Sequence, residues 1–113
     1  MQDIHAQLRF LPLSAQKIRL IVDMVRGKSA NEALEILRFV PKRGAAPVRK
    51  LLASAVSNAE ENFGVSRDDL YVAKIFADEA PTRRWRRFGA RGRFKPILRR
   101  TSHVTVILRE RGS

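Results

Sequence analysis

Cysteine is absent from this 113-residue chain. That excludes a disulfide framework and any thiolate-held metal, and it fits a reducing compartment. Histidine is almost absent: His5 and His103 are the only two, too few to build a zinc site without thiolates. No apolar run approaches the roughly 20 residues of a membrane-spanning helix. The N-terminus lacks the basic start and apolar stretch of a secretory signal, so the expectation is a cytoplasmic protein with no membrane partner. Enzyme motifs are missing too. Gly89-Ala90-Arg91-Gly92 has neither the lysine nor the spacing of a phosphate-cradling loop. Ser102 and His103 are neighbours on a predicted strand and point to opposite faces, so they form no nucleophile–base pair. The adjacent acids Glu60-Glu61, Asp68-Asp69 and Asp78-Glu79 read as solvated turn or helix-end residues. The expectation is no enzyme, no cofactor and no metal. Acids are also missing where they would matter most: none occurs from Pro81 to Arg100, PTRRWRRFGARGRFKPILRR.

What that stretch does contain is charge of one sign. The chain carries 23 Lys+Arg against 11 Asp+Glu, for a net charge of +12. Nine of those twelve charges come from Arg83, Arg84, Arg86, Arg87, Arg91, Arg93, Lys95, Arg99 and Arg100. The sequence pI of about 11.5 points to a polyanionic partner. Eight of the nine cations are arginine, whose planar fork suits phosphate and whose face stacks on bases. Trp85, Phe88 and Phe94 lie among them and could stack on or wedge between nucleobases. The segment reads as an RNA-seeking arm.

The remainder reads as one small domain with a single core, at 44% hydrophobic residues. Residues 4–13 alternate only in part and are read as a short strand or extended lead-in ending near Pro12. Ser14 stands as a helix cap, Ile18, Ile21, Val22 and Val25 follow on one face, and Gly27 is placed to end the helix. Ser29 to Glu32 has capping-box spacing before Ala33, Leu34, Leu37 and Val40, and Pro41 stops that second helix. The third helix has Pro47 in its first turn and Val48, Leu52, Ala55, Val56, Ala59 and Phe63 on one face, with the small Ala53, Ala55 and Ala59 allowing close approach; Gly64 follows as a terminator. Lys17, Arg19, Arg26 and Lys28 decorate the first helix, where solvent or RNA contact is open. Leu70–Ala77 and Thr101–Leu108 then read as strands, with Val104, Val106 and Leu108 on one face. A structureless loop of some twenty residues between them is implausible in so small a domain. A ribbon is the better account, turning at Gly89 and Gly92 with Pro81 and Pro96 tolerated at its edges. Nine like charges would keep such an arm from ordering alone.

Three stretches resemble a known family: Ser14–Lys28 (SAQKIRLIVDMVRGK), Ala46–Asn62 (APVRKLLASAVSNAEEN) and Asp78–Val104, above all Ala90-Arg91-Gly92-Arg93 and Arg99-Arg100-Thr101-Ser102-His103. They resemble the bacterial large-subunit ribosomal protein L-twenty-two family, in one order over almost the whole chain. The resemblance implies an α+β domain, three helices packed on a small antiparallel sheet with a long protruding β-hairpin. It implies a body at about 1–79 and 101–113 and a basic hairpin at about 80–100. It implies a structural role in the large ribosomal subunit: binding large-subunit ribosomal RNA, touching neighbouring ribosomal proteins, and threading the hairpin through RNA to line the nascent-peptide exit tunnel. No homo-oligomer is expected. By position, Arg83, Arg84, Arg91, Arg93, Arg99 and Arg100 fall where the family places basic RNA-contacting residues. Lys17, Arg19, Arg86, Arg87 and Lys95 are added to the RNA-binding candidates for their charge, and the hairpin tip is expected to comprise Trp85, Phe88, Gly89, Ala90 and Gly92. The chain departs from the family at Ala80, Phe88-Gly89, Phe94 and Ala15-Gln16.

Two other classes are weighed against that. Two short helices meeting near Gly27-Lys28 loosely resemble a DNA-reading helix-turn-helix, but the second helix carries Glu32 and Glu35 against Arg38 alone. A membrane-active basic peptide would need a continuous apolar face that the arm lacks.

Overall fold

A computed structural model describes residues 3–80, 83–88, 94–99 and 101–111, the segments 83–88 and 94–99 by their backbone. The fold is α+β. Strand β1 (Ile4–Leu11) is followed by helices α1 (Ala15–Val22), α2 (Ala30–Phe39) and α3 (Ala45–Phe63), a 3-10 turn (Arg67–Asp69), and strands β2 (Leu70–Glu79), β3 (Arg83–Phe88), β4 (Phe94–Arg99) and β5 (Ser102–Glu110). β5 is the middle strand of an antiparallel sheet of order β1-β5-β2, and β3 pairs with β4 in a two-stranded ladder of its own.

One face of the three-stranded sheet packs on the helices. On β5 the strand period of two turns Val104, Val106 and Leu108 inward, and each is fully buried. On β2 the inward set changes parity, from Leu70 and Val72 to Ile75 and Ala77. A register shift between Val72 and Lys74 absorbs the extra residue and keeps apolar side chains on the core side. Residues 4–13, expected as a short strand or extended lead-in, form the strand over Ile4–Leu11, with a second register shift between Leu8 and Leu11. Phe10 lies in that shift with φ of 56°, a left-handed value uncommon for a side chain of its size.

The helices follow their caps. Ser14 Oγ accepts from the Lys17 N–H at 3.4 Å and Ser29 Oγ from the Glu32 N–H at 3.2 Å. α1 is shorter than its apolar spacing predicts. It ends at Val22, and residues 23–27 form turns that still bury Val25. Gly27, at φ 80°, closes that turn and donates its N–H to the Val72 carbonyl at 3.0 Å. α2 ends at Phe39, with Val40 as its extended C-cap. α3 ends at Gly64 in the left-handed region. Its core stripe holds Val48, Leu51, Leu52, Ala55, Val56 and Ala59. Phe63, expected on the stripe, is 42% exposed, and Ala53 also faces solvent. Nineteen residues carry the helix more than five turns at about 3.6 per turn, and its buried stripe ends at Ala59.

Candidate nucleic-acid interface

The basic segment is held between the two longest strands of the sheet. Glu79 pairs with Ser102, and one residue further the Ala80 N–H donates to the Thr101 carbonyl at 3.0 Å. Ala80 and Ser102 are buried at this root. Beyond it β3 and β4 pair antiparallel from Arg83↔Arg99 to Phe88↔Phe94, with Arg84 opposite Leu98, Trp85 opposite Ile97, Arg86 opposite Pro96 and Arg87 opposite Lys95. Among the described residues β3 and β4 therefore form a two-stranded ladder of their own. Arg91, Arg93, Arg100 and the tip residues Gly89, Ala90 and Gly92 lie outside the described residues, and so does Pro81. Of Arg83, Arg84, Trp85, Arg86, Arg87, Phe88, Lys95 and Arg99 the strand and its register are described.

The two body residues chosen from sequence have different surroundings. Lys17 is exposed on the first turn of α1. Arg19 is exposed as a residue, but its Nε donates to the Ala77 carbonyl at 3.2 Å. Arg26 does the same further along β2, with Nη2 and Nε donating to the Ile75 carbonyl at 2.8 and 3.3 Å while Nη1 pairs with Asp23. Val72 completes the pattern: its carbonyl accepts from Gly27 and its N–H donates to the Lys28 carbonyl at 2.8 Å. These groups occupy the outer edge of β2, which would otherwise present open backbone to any passing strand. From sequence, Arg19 is expected to bind RNA and Arg26 to face solvent or RNA. Their repeat of seven residues is the one signal in the sequence, since it sets both on one side of the α1 region.

His103 has a structural partner. Its Nδ1 accepts the Phe10 N–H at 3.0 Å, and the Phe10 ring stands edge-on to the imidazole with centroids 4.7 Å apart. An accepting Nδ1 leaves the proton of the neutral ring on Nε2. At the opposite end of the sheet Asp3 and Arg109 join β1 to β5 through a bond of 2.6 Å. The hydrogen bond from Arg109 holds the Asp3 carboxyl below its ordinary value of 3.8, and the same contact raises Arg109. Glu60 likewise raises Arg67 across a 2.9 Å pair. Among the described residues no group of His, Asp or Glu is arranged to hold a metal, and no helix is long and apolar enough to cross a membrane.

The family model described as ribosomal protein L22p/L17e matches residues 6–109. The chain belongs to that ribosomal protein family. It is 46% identical over 109 residues to the large ribosomal subunit protein uL22 of Thermoanaerobacter pseudethanolicus, covering 96% of this chain and 98% of that protein. It is 48% identical over 106 residues to the large ribosomal subunit protein uL22 of Caldicellulosiruptor saccharolyticus, covering 94% of this chain and 87% of that one. The match begins in β1 and ends in β5, so it takes in every helix, the body sheet and both arm strands. The family is one of ribosomal components, not enzymes. The helix-turn-helix alternative loses further ground in the structure, because α2 exposes Asn31, Glu32 and Glu35 beside Arg38.

Proposed function

We propose that this chain is a structural constituent of the large ribosomal subunit that binds large-subunit ribosomal RNA, with the β3–β4 arm threading RNA and its tip lining the nascent-peptide exit tunnel. One observation carries the reading. Nine cations and no acid fall between residues 83 and 100, and six of them, Arg83, Arg84, Arg86, Arg87, Lys95 and Arg99, lie on two strands that pair with each other and not with the body sheet. A two-stranded ribbon is marginal by itself, and like charges at this density repel. Phosphate on both sides removes the repulsion and releases counterions. The radius of gyration of 17.2 Å, against about 13 Å for a compact domain of about 100 residues, and extents of 65 × 26 × 18 Å support a body near 1–79 and 101–113 with an arm reaching away from it. Arg83, Arg84, Arg86, Arg87, Arg91, Arg93, Lys95, Arg99 and Arg100 neutralise phosphates; Trp85, Phe88 and Phe94 stack or fill gaps. Recognition is by charge and shape, not by base sequence. Partners are the RNA, neighbouring large-subunit proteins and, at the tip, the growing peptide. The body fixes the angle at which the arm enters.

Deleting residues 83–100 tests this. Binding to large-subunit ribosomal RNA should be lost while far-UV circular dichroism still shows the helices. Tight binding by the deleted protein refutes the role given to the arm.

A further inference from the structure

A groove of about 480 Å³ runs between β1 and the first half of α3, lined by Leu8, Ala46, Pro47, Lys50, Leu51 and Ser54. Five of these six come from one face of the helix, at positions 46, 50, 54 and 47, 51. Leu8 closes the groove from the strand. Its volume lies within the roughly 300–1,000 Å³ of pockets that take small ligands. Leu51 and Leu8 give it an apolar wall, the exposed Ala46 and Ser54 are small enough to leave it open, and the exposed Lys50 supplies a cation at its rim.

The charge on α3 says what kind of partner the groove meets. A helix prefers acids in its first turn and bases in its last, because its N-terminal end is the positive end of the dipole. Here the order is reversed. Lys42, Arg43, Arg49 and Lys50 surround the N-terminal end, there is no acid from Pro41 to Ala59, and Glu60 and Glu61 stand near the C-terminal end. α3 has no acidic residue in its first turn and no side-chain cap on Gly44. That arrangement works against the isolated helix and favours an anion brought to its start. An apolar slot whose one charged lining residue is Lys50, on a helix with no acid before Glu60, matches an unstacked nucleotide, with its base or ribose against Leu8, Pro47 and Leu51 and its phosphate near Lys50.

We propose that the β1–α3 groove holds one splayed nucleotide of ribosomal RNA, a second RNA contact on the body separate from the arm. The proposal rests on the RNA-binding reading above and adds a location to it. The groove positions the body by shape, and the arm supplies most of the electrostatic attraction.

The test uses the full-length chain and a transcript of large-subunit ribosomal RNA, with binding measured over a range of salt. Ser54→Trp fills the groove without changing charge. It should weaken binding about tenfold and leave the salt slope unaltered. Lys50→Ala should lower the slope by about one phosphate contact. Ser57→Trp, on an exposed position of α3 outside the lining, should bind as the unaltered chain does. A nucleotide that the unaltered protein shields from base-modifying reagent should become reactive with Ser54→Trp. If Ser54→Trp and Lys50→Ala both bind with unaltered affinity and slope, the groove takes no RNA and the proposal falls while the arm's role stands. If the unaltered chain fails to bind the transcript, the RNA reading itself is refuted, and this inference with it. If Ser54→Trp binds RNA normally but cannot enter subunits rebuilt from purified components, the occupant is a protein and the proposal is overturned.

Discussion

Replacing Gly44 by alanine sets two opposing effects against each other at the turn that starts α3. Gly44 has φ of −79° and ψ of −11°, values that any residue adopts. The backbone therefore accepts alanine, and the stiffer unfolded chain stabilises the variant by about 0.4–1 kcal/mol. The added methyl group has no room. It would lie 2.5 Å from Ile18 Cδ1, 2.9 Å from Ile21 Cδ1 and 3.2 Å from Leu13 Cδ1. Ile18 is fully buried and Ile21 is 2% exposed, so neither tip can swing into solvent, and both must give way into a packed core. Overpacking of this kind costs about 1–3 kcal/mol. The net result is a loss of about 1–2 kcal/mol, which for a domain of this size lowers the melting temperature by about 5–10 °C. Thermal and urea unfolding followed by circular dichroism measure it. Combining Gly44→Ala with Ile18→Val removes the atom nearest the new methyl group, and the double variant should lose less than the sum of the two single losses. A Gly44→Ala protein as stable as the unaltered chain, or strict additivity in the double variant, would falsify the packing account.

Two further outcomes follow from the sheet. Arg26→Ala removes the donors to the Ile75 carbonyl. A charged hydrogen bond is worth about 1.5–3 kcal/mol, and exposure of about half the side chain reduces that, so a loss of about 1 kcal/mol and faster amide exchange along β2 are expected; an unshifted urea midpoint would contradict the edge role. Asp3→Asn addresses pH. The folded-state value of Asp3 is lowered by Arg109, so its contribution is fully present above 3.8 and is lost as pH falls through the lowered value. The stability gap between the unaltered chain and Asp3→Asn should therefore be constant near neutral pH and close in acid; a gap that does not narrow would exclude the ion pair as its source.

Much of this architecture can be read from periodicity and caps, and the places where it cannot share a physical cause. Ser14, Ser29 and Gly64 act where their chemistry puts them, because caps and left-handed turns are local. Gly27, expected to end α1, instead takes a left-handed turn five residues after the helix has stopped at Val22. Val104, Val106 and Leu108 point inward as alternation demands. The parity change on β2 at Val72–Lys74 is not visible in LYVAKIFA, since Ala73 and Ala77 fit either face and the choice is made by the helices behind. α1 stops at Val22 although Val25 keeps the helical spacing, because the edge of β2 competes for the backbone of residues 27 and 28. Phe63 follows the α3 stripe in sequence and misses the core in space, as the last residue of the helix, one before the left-handed Gly64. The charge of the arm is plain from composition. The occupation of Arg19 and Arg26 by carbonyls of a strand some fifty residues away is a tertiary event with almost no trace in sequence.

The guanidinium latch on β2 bears on the protein's life before assembly. A ribosomal component is made before it is assembled and has to wait. During that interval its greatest hazard is recruitment of one sheet by another through unused peptide groups. Arg19, Arg26 and the Gly27–Lys28 peptide close one border of the sheet with groups from the chain's own second element. Solubility while waiting is thus built into the body, and the cationic finger is left as the part that seeks a partner.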